Sequence, residues 1–179
     1  SKWSFQIGTG SQYGLWGWGN GESQYYRSEN ATIDDGKLII EAKQEVYSGS
    51  NYTSARLRTK DKGDWLYGKI SARMKLPSAG GTWPAFWMMP TNSVYGGWPN
   101  SGEIDIMEHY GCNSMNSGDP FSTVHSNMYN WNGGIQPPSY YLNQDIDTNE
   151  FHDYEMEWSE NDIKFYIDGN YMGTYFKTN

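Results

Sequence analysis

Three carboxylates lie within six residues in the segment Gly102-Glu103-Ile104-Asp105-Ile106-Met107-Glu108. Acidic and apolar residues alternate there, which predicts a strand, and residues two apart on a strand share a face. Glu103 and Asp105 therefore point the same way, whereas Glu108 has the wrong parity. One extra residue, a β-bulge at about Ile106-Met107, returns Glu108 to the first face. The spacing predicts a bulged strand that brings three acidic side chains together.

Two glutamates arranged in this way could cleave a glycosidic bond. With the bulge, the Cα atoms of Glu103 and Glu108 lie roughly 13 Å apart. Side chains that lean inward can close the carboxyl gap to the ~5 Å of a retaining glycosidase or leave the roughly 6.5–9.5 Å of an inverting one. The sequence permits both. Asp105 can hydrogen-bond to one glutamate and, by like-charge repulsion, keep the other protonated near neutral pH.

Two other interpretations of the acidic strand remain open. It could be a solvated acidic face, but unpaired like charges on one strand face are destabilising, and such strain more often marks function. It could also bind a hard cation, since carboxylates are ligands for Ca²⁺.

Aromatic residues make up 17% of the chain, and nine of them are Trp. Sugar rings stack on indole, so carbohydrate clefts are rich in Trp. Trp83 and Trp87 precede the acidic strand and share one parity, while Phe86 and Met88 share the other. One pair should face the core and the other the cleft, and the sequence does not say which. Trp98, between Gly97 and Pro99, is predicted to be exposed in a loop.

His125 lies on the next predicted strand, where it could line the same groove with Ser126 and Asn127. A lone histidine on a strand is more often structural than functional. The sequence contains no Gly-x-Ser-x-Gly elbow, no His-Glu-x-x-His zinc motif and no Gly-x-x-x-x-Gly-Lys phosphate loop.

Charge and hydropathy exclude two classes of partner. The net charge is −8, from 21 acidic against 13 basic residues, which disfavours nucleic acid. No apolar run approaches the roughly 18 residues of a membrane span, so no membrane partner is expected. A length of 179 residues fits a single domain, 1–179.

Short alternating segments bounded by Gly, Asn and Asp predict an all-β, antiparallel sandwich, of which the jelly roll is one form. The hairpin signal Gly169-Asn170 separates the last two of these segments. The glycine-rich stretch Gly8 to Asn20 carries Tyr13, Trp16 and Trp18, and is either a loop that exposes aromatic side chains or one folded over the core. The predicted strands are 37–42, 67–76, 82–89, 102–109, 121–129, 151–158, 162–168 and 171–176.

Five segments resemble glycoside hydrolase family 16, specifically its laminarinase-like endo-β-1,3-glucanases with the bulged Glu-x-Asp-x-x-Glu signature. The similarity covers nearly the whole chain. It is carried by Gly19 to Tyr26, Thr53 to Lys60, Tyr67 to Ile70, Gly81 to Pro90 and Gly102 to Glu108.

The resemblance implies a β-jelly-roll with the substrate groove on the concave face of two curved sheets. It implies that Glu103 is the nucleophile, Glu108 the general acid/base and Asp105 the supporting carboxylate of an endo-acting, retaining hydrolase. The expected substrate is β-1,3-glucan (laminarin), with mixed-linkage β-1,3-1,4-glucan as a second. A non-catalytic, lectin-like jelly-roll module is the alternative.

The resemblance also implies contacts to the sugar. Trp98 corresponds to a tryptophan that stacks a sugar near the cleavage point. The other expected substrate-binding residues are Asn20, Glu22, Arg58, Trp83, Trp87 and His125.

Family members usually have one more strand before this sequence and further strands after Phe176. We therefore expect a catalytic domain that is incomplete at both ends, with a complementing fragment of the same polypeptide as a partner. The chemistry should need no cofactor. A structural calcium ion is expected, with Gly36 as the remnant of its site, and the expected location is extracellular, cell-surface or periplasmic.

Overall fold

The structure, a computed structural model, describes residues 2–111, 121–125, 139–141 and 146–177, and for 121–125 and 139–141 it describes the backbone only. Apart from three short 3-10 turns, every regular element in these ranges is a strand, which confirms the all-β prediction. No helix in the described ranges is long and apolar enough to cross a membrane. Backbone contacts divide the chain into two compact units, residues 1–64 and 65–179; a single catalytic domain stays a prediction.

The first unit contains three small sheets. β1 pairs with β7, β3 with β4, and a three-stranded sheet has the order β2-β6-β5, in which β2 and β6 run parallel. Its strands are β1 (Ser4–Gln6), β2 (Gln24–Tyr26), β3 (Ala31–Asp34), β4 (Lys37–Ile40), β5 (Lys43–Tyr47), β6 (Ser50–Ser54) and β7 (Arg56–Arg58).

The glycine-rich N-terminal loop exposes some of its aromatic side chains and buries another, so each of the two interpretations applies to part of it. Trp16 is 80% exposed and Tyr13 is also exposed, whereas Trp18 is buried. The indole N–H of Trp18 donates to the carbonyl oxygen of Gly8 at 3.2 Å, and the Arg56 guanidinium lies 4.6 Å from its ring centroid. Trp18 therefore anchors the loop, and Trp16 is exposed to solvent.

The second unit is a sandwich of two four-stranded antiparallel sheets, with the orders β12-β11-β10-β9 and β15-β14-β13-β8. This confirms the predicted antiparallel sandwich. Its strands are β8 (Gly68–Met74), β9 (Ala85–Met88), β10 (Glu103–Glu108), β11 (Phe121–His125), β12 (Ser139–Tyr141), β13 (His152–Trp158), β14 (Asp162–Ile167) and β15 (Asn170–Phe176). Residues 126–129, predicted to continue β11, lie outside the described residues.

The core of the second unit lies between its two sheets. Ile106 of β10 packs against Met156 of β13 and against Ile163 and Phe165 of β14. Beside this cluster, Met107 packs with Leu76, Tyr154 and Ile167. Because side chains from both sheets meet here, burial of these apolar groups holds the carboxylate strand β10 against the opposite sheet.

The last hairpin turns one residue earlier than predicted. Ile167 pairs with Asn170, so Asp168 and Gly169 form the two-residue loop. Both have positive φ, 49° and 75°, as a type I′ turn requires. Asp tolerates this conformation, so the Asp-Gly pair was the stronger turn signal than Gly-Asn.

His152 at the start of β13 connects this turn to the preceding loop. Its Nδ1 lies 2.6 Å from Asp168 Oδ2, and its Nε2 lies 3.1 Å from the carbonyl oxygen of Asp147. Both partners are acceptors, so only the doubly protonated ring donates to both. The hydrogen bond to Asp168 raises the pKa of His152 above its ordinary value, against the opposing effects of burial and of Arg73.

The stability of the fold should therefore depend on the charge of His152. A pKa raised by folding gives stability that is fully present below the unfolded-state value of about 6.5 and is lost as the pH rises through the folded-state value. We expect urea unfolding to show the largest loss of stability for His152→Gln at about pH 6, and a smaller loss at about pH 9. The same substitution in an Asp168→Asn background should lose most of this pH dependence. A penalty that is constant with pH would contradict the assignment.

Candidate active site

The backbone register shows an extra residue in β10. Against β9, Asp105 is opposite Trp87 and Met107 is opposite Phe86, so β10 advances two residues while its neighbour advances one. Against β11, the register shifts between Asp105 and Glu108 in the same sense. The predicted bulge at Ile106-Met107 is confirmed.

The bulge has a direct effect on which way each side chain points. Ile106 and Met107 are adjacent, yet both are 2% exposed and both belong to the core. In a regular strand, neighbours point to opposite faces. Because two consecutive residues point inward, Glu108 is returned to the face of Asp105.

Asp105 shows that the three carboxyl groups interact. It is 2% exposed, and burial together with repulsion from Glu108 raises its pKa to about 8, while a hydrogen bond shared with Glu103 acts in the opposite direction. Burial and the repulsion from Glu108 outweigh this hydrogen bond, so Asp105 keeps its proton at neutral pH. The sequence predicted that like-charge repulsion would keep one of the glutamates protonated. The structure instead raises the pKa of Asp105, with burial as the larger cause and repulsion from Glu108 as the smaller one.

The parity of the tryptophans is also settled. Phe86 and Met88 pack against the core around Ile106. Trp87 is directly opposite Asp105 in the ladder, and directly opposed residues project to one face. Trp83, ahead of β9, donates its indole N–H to Glu108 Oε1 at 2.9 Å. The two tryptophans thus belong to the carboxylate face.

Trp98 lies in the loop between β9 and β10 and is 48% exposed, as predicted. The Ser101 hydroxyl organises this loop: it donates to the carbonyl oxygen of Gly96 at 2.6 Å and accepts from the backbone N–H of Tyr95 at 3.1 Å. The loop joins β10 at Glu103, so an exposed indole is held on a hydrogen-bonded segment next to the carboxylate strand.

His125 is opposite Glu103 in the backbone register of β11 and β10. The position fits the predicted groove. The contact of its side chain with sugar stays a prediction, because the side chains of β11 lie outside what the structure describes.

In the first unit, Glu22 is the centre of a polar cluster. Its carboxylate accepts hydrogen bonds from the Asn20 amide at 3.2 Å, the Gln24 amide at 2.5 Å and the Tyr26 hydroxyl at 2.7 Å, and Arg56 lies 3.9 Å away. These contacts orient both oxygens of the Glu22 carboxylate, and its contact with sugar stays a prediction. Asn20 is exposed, and its contact with sugar stays a prediction.

Arg58 is exposed at the end of β7, where its carbonyl oxygen pairs with Ser4. The cation that joins the Glu22 cluster is Arg56, two residues earlier on the same strand face, which also donates from Nε to Gln6 at 2.9 Å. Sequence reasoning did not single out Arg56. The sequence shows that Arg56 and Arg58 share parity, and only the structure shows that Arg56 contacts Glu22 and Gln6.

The described side chains do not assemble a calcium site at the turn of Gly36, and the expected calcium ion stays a prediction. Asp35 and Gly36 form the loop between β3 and β4, and the Asp35 carboxylate is paired with the Lys37 ammonium at 2.6 Å. Ca²⁺ takes six to eight oxygen ligands. Among the described residues, no group of three or more His, Cys, Asp or Glu could hold a metal ion.

The raised pKa of Asp105 can be measured directly. In a chain with ¹³C-labelled carboxyl groups, we expect one aspartate to titrate near pH 8 by NMR and its signal to be absent in Asp105→Asn. In Glu108→Gln its midpoint should fall, because a like charge has been removed. Asp153→Asn, at an exposed aspartate, is the matched control and should leave the midpoint unchanged. An Asp105 that titrates near its ordinary value of 3.8 would contradict the site as described.

Comparison with known proteins identifies relatives of this chain. The sequence profile of "Glycosyl hydrolases family 16" matches residues 18–179. The chain is 44% identical to the beta-glucanase of Rhodothermus marinus over 178 residues, which cover 93% of this chain and 57% of that protein. It is 42% identical to the clotting factor G alpha subunit of Tachypleus tridentatus over 172 residues, 95% of this chain and 24% of that one.

Among solved structures, the endo-beta-1,3-glucanase from Pyrococcus furiosus matches with a TM-score of 0.85 at 39% identity, over 97% of this chain and 68% of that one. This likeness confirms the predicted jelly-roll class of fold. The chain spans less than two thirds of the length of either relative named above. The profile match and these likenesses show that the chain belongs to glycosyl hydrolase family 16, as a laminarinase-like member.

Proposed function

We propose that this chain hydrolyses β-1,3-glucan by an endo-acting, double-displacement mechanism that retains the anomeric configuration. The observation that carries the proposal is the bulge in β10, which sets Glu108 on the face of Glu103 and Asp105. The names of the Rhodothermus marinus and Pyrococcus furiosus proteins support a glucan substrate.

In the first step, Glu103 is the nucleophile and Glu108 the acid. A Glu103 carboxylate oxygen forms a bond to the anomeric carbon as the bond from that carbon to the glycosidic oxygen breaks. The electron pair of the broken bond goes to the glycosidic oxygen, which takes the proton of Glu108. Asp105 shares a hydrogen bond with Glu103 and so orients the nucleophile.

In the second step, Glu108 acts as a base. It takes a proton from water, whose oxygen bonds to the anomeric carbon while the bond to Glu103 breaks. Both catalytic groups return to their initial protonation states. Two carboxyl groups and one water complete the reaction, so the chemistry requires no cofactor.

The sugar is bound by aromatic faces and polar groups around the carboxylates. In the second unit, Trp87 and the exposed Trp98 supply indole surfaces for stacking, and His125 supplies a polar contact. Asn20 and Arg58 of the first unit stay predicted sugar contacts. The expected substrates are laminarin first and mixed-linkage glucan second.

A polymeric glucan does not cross membranes, so we place the enzyme outside the cell, on its surface or in the periplasm. No relative supports a complementing fragment, which stays a prediction.

The rival function, a lectin-like binding module, explains the aromatic residues but not the acidic ones. Binding a neutral sugar does not need a carboxyl group buried beside two others, and burial of such a group costs stability. A catalytic role accounts for this cost, because perturbed carboxyl groups are what acid–base and nucleophilic chemistry requires.

Reducing-sugar release from laminarin tests the proposal. We expect hydrolysis by the unmodified chain, with the β-anomer as the first product in ¹H NMR. Glu108→Gln should lose about 10²–10⁴-fold in kcat/KM, and Glu103→Gln at least as much, because no other group can form the covalent bond. Far-UV circular dichroism and thermal unfolding establish that each variant is folded.

Glu160→Gln, at an exposed glutamate in the turn between β13 and β14, is the matched control and should keep full activity. Binding of laminarin without any release of reducing ends would instead support the lectin-like module. Full activity in Glu103→Gln or Glu108→Gln would exclude the mechanism, and an α-anomeric first product would show inversion.

A further inference from the structure

Trp83 makes a contact that stacking against a sugar does not require. Its indole N–H donates to Glu108 Oε1 at 2.9 Å. A tryptophan that serves only as a stacking surface uses its ring face, whereas here the one polar atom of the side chain is directed at a carboxyl oxygen.

The backbone holds Trp83 in this position from both sides. Gly111 donates its N–H to the carbonyl oxygen of Thr82 at 2.9 Å, and His109 donates to that of Pro84 at 3.2 Å. The residues before and after Trp83 are thus tied to the segment that follows Glu108. The Trp83 ring also contacts Tyr110, with 5.0 Å between the ring centroids.

Gly111 allows this close approach. A Cβ atom built at position 111 would lie 2.2 Å from both the carbonyl oxygen of Ala79 and the hydroxyl of Thr82. The Thr82 hydroxyl itself donates to the Ala79 carbonyl oxygen at 2.7 Å. The donor is therefore fixed in place before substrate arrives, which is the property of a preorganised site.

A protonated carboxyl group has two different oxygens, a carbonyl oxygen that accepts well and a hydroxyl oxygen that carries the proton. A fixed N–H donor favours the tautomer in which its partner is the carbonyl oxygen. It also holds the carboxyl plane at one angle, and proton transfer is sensitive to misplacement of about 1 Å.

From this geometry we infer that Trp83 is a positioning residue for Glu108: its N–H occupies Oε1 and directs the transferable proton to Oε2. The inference rests on the proposed function, because it assigns a task within that reaction. Trp83 then serves acid catalysis through Glu108, in addition to whatever ring surface it offers to a sugar.

Two aryl β-laminaribiosides separate this role from simple sugar binding. The phenyl glycoside has a poor leaving group that must be protonated, whereas dinitrophenolate departs without a proton. In Trp83→Phe, which keeps an aromatic ring but has no N–H, kcat/KM for the phenyl glycoside should fall about tenfold or more. For the dinitrophenyl glycoside it should change less than about twofold.

The pH profile gives a second readout. The N–H donor stabilises the ionised form of Glu108 more than the neutral form, so its removal should move the basic limb of kcat/KM for the phenyl glycoside to higher pH by about half a unit to one unit. Replacing a residue that only shapes the cleft would lower kcat/KM at every pH without moving the limbs of the profile.

A near-isosteric replacement protects the test against a change in packing. β-(3-Benzothienyl)alanine at position 83 keeps the bicyclic ring and exchanges the N–H for sulfur, so it should reproduce both effects of Trp83→Phe. Trp16→Phe, at the exposed tryptophan of the N-terminal loop, is the matched control and should change neither readout.

Equal losses on the two glycosides, or an unmoved basic limb in both position-83 variants, would overturn the inference while leaving the proposed function intact. If the unmodified chain cleaves neither glycoside nor laminarin, the proposed function itself fails. The two failures are therefore distinguishable in one set of assays.

Discussion

The active-site arrangement depends on a conflict between strand periodicity and burial in β10. A regular strand would send either Ile106 or Met107 away from the core, and the structure buries both. Each buried side chain of this size contributes about 1.5–3 kcal/mol. The extra residue accommodates both at the cost of a local interruption in the ladder, and the interruption turns Glu108 toward Asp105. Hydrophobic packing on one face of β10 thus determines that the three carboxyl groups share the other face.

Bringing the carboxyl groups together has an electrostatic cost, and the protonation of Asp105 relieves it. A buried aspartate beside two glutamates cannot keep all three groups ionised, and the pKa of about 8 assigns the retained proton to Asp105. With Asp105 neutral, the repulsion among the three groups falls. The third group, Glu108, accepts a hydrogen bond from the Trp83 N–H. The three carboxyl groups therefore have different environments although they lie on one strand, and different environments are what allow different roles.

The sequence specified the bulge because the parity of Glu108 conflicts with that of Glu103 and Asp105, and only one extra residue resolves the conflict. It left open whether Trp83 and Trp87 or Phe86 and Met88 face the core, since both pairs are apolar and the choice depends on the opposite sheet. The hydrogen bond from Trp83 to Glu108 has no local signature, because it joins residues 25 positions apart. Glu22 shows the same limit: the sequence did not indicate that Asn20, Gln24 and Tyr26 donate to its carboxylate.

At two turns, the sequence predictions missed features that the structure shows. The hairpin before β15 uses Asp168-Gly169, and the Asp168 carboxylate also binds His152, so one residue forms both the turn and the contact with the ring. Gly36 was assigned to a calcium site by resemblance alone, and the Lys37 ammonium beside Asp35 is a local feature that the resemblance did not weigh. The hairpin prediction was wrong by one residue, whereas the calcium ion stays a prediction.

The most direct measurement is a crystal structure of the chain after reaction with a 2-deoxy-2-fluoro laminaribioside, which slows the second step and traps the covalent intermediate. The account predicts a bond from Glu103 to the anomeric carbon, with the Glu103 and Glu108 carboxyl groups about 5–5.5 Å apart on one face of β10. A Glu108 side chain directed instead toward Leu76 and Tyr154 on the core side, or sugar attached to a residue other than Glu103, would contradict it.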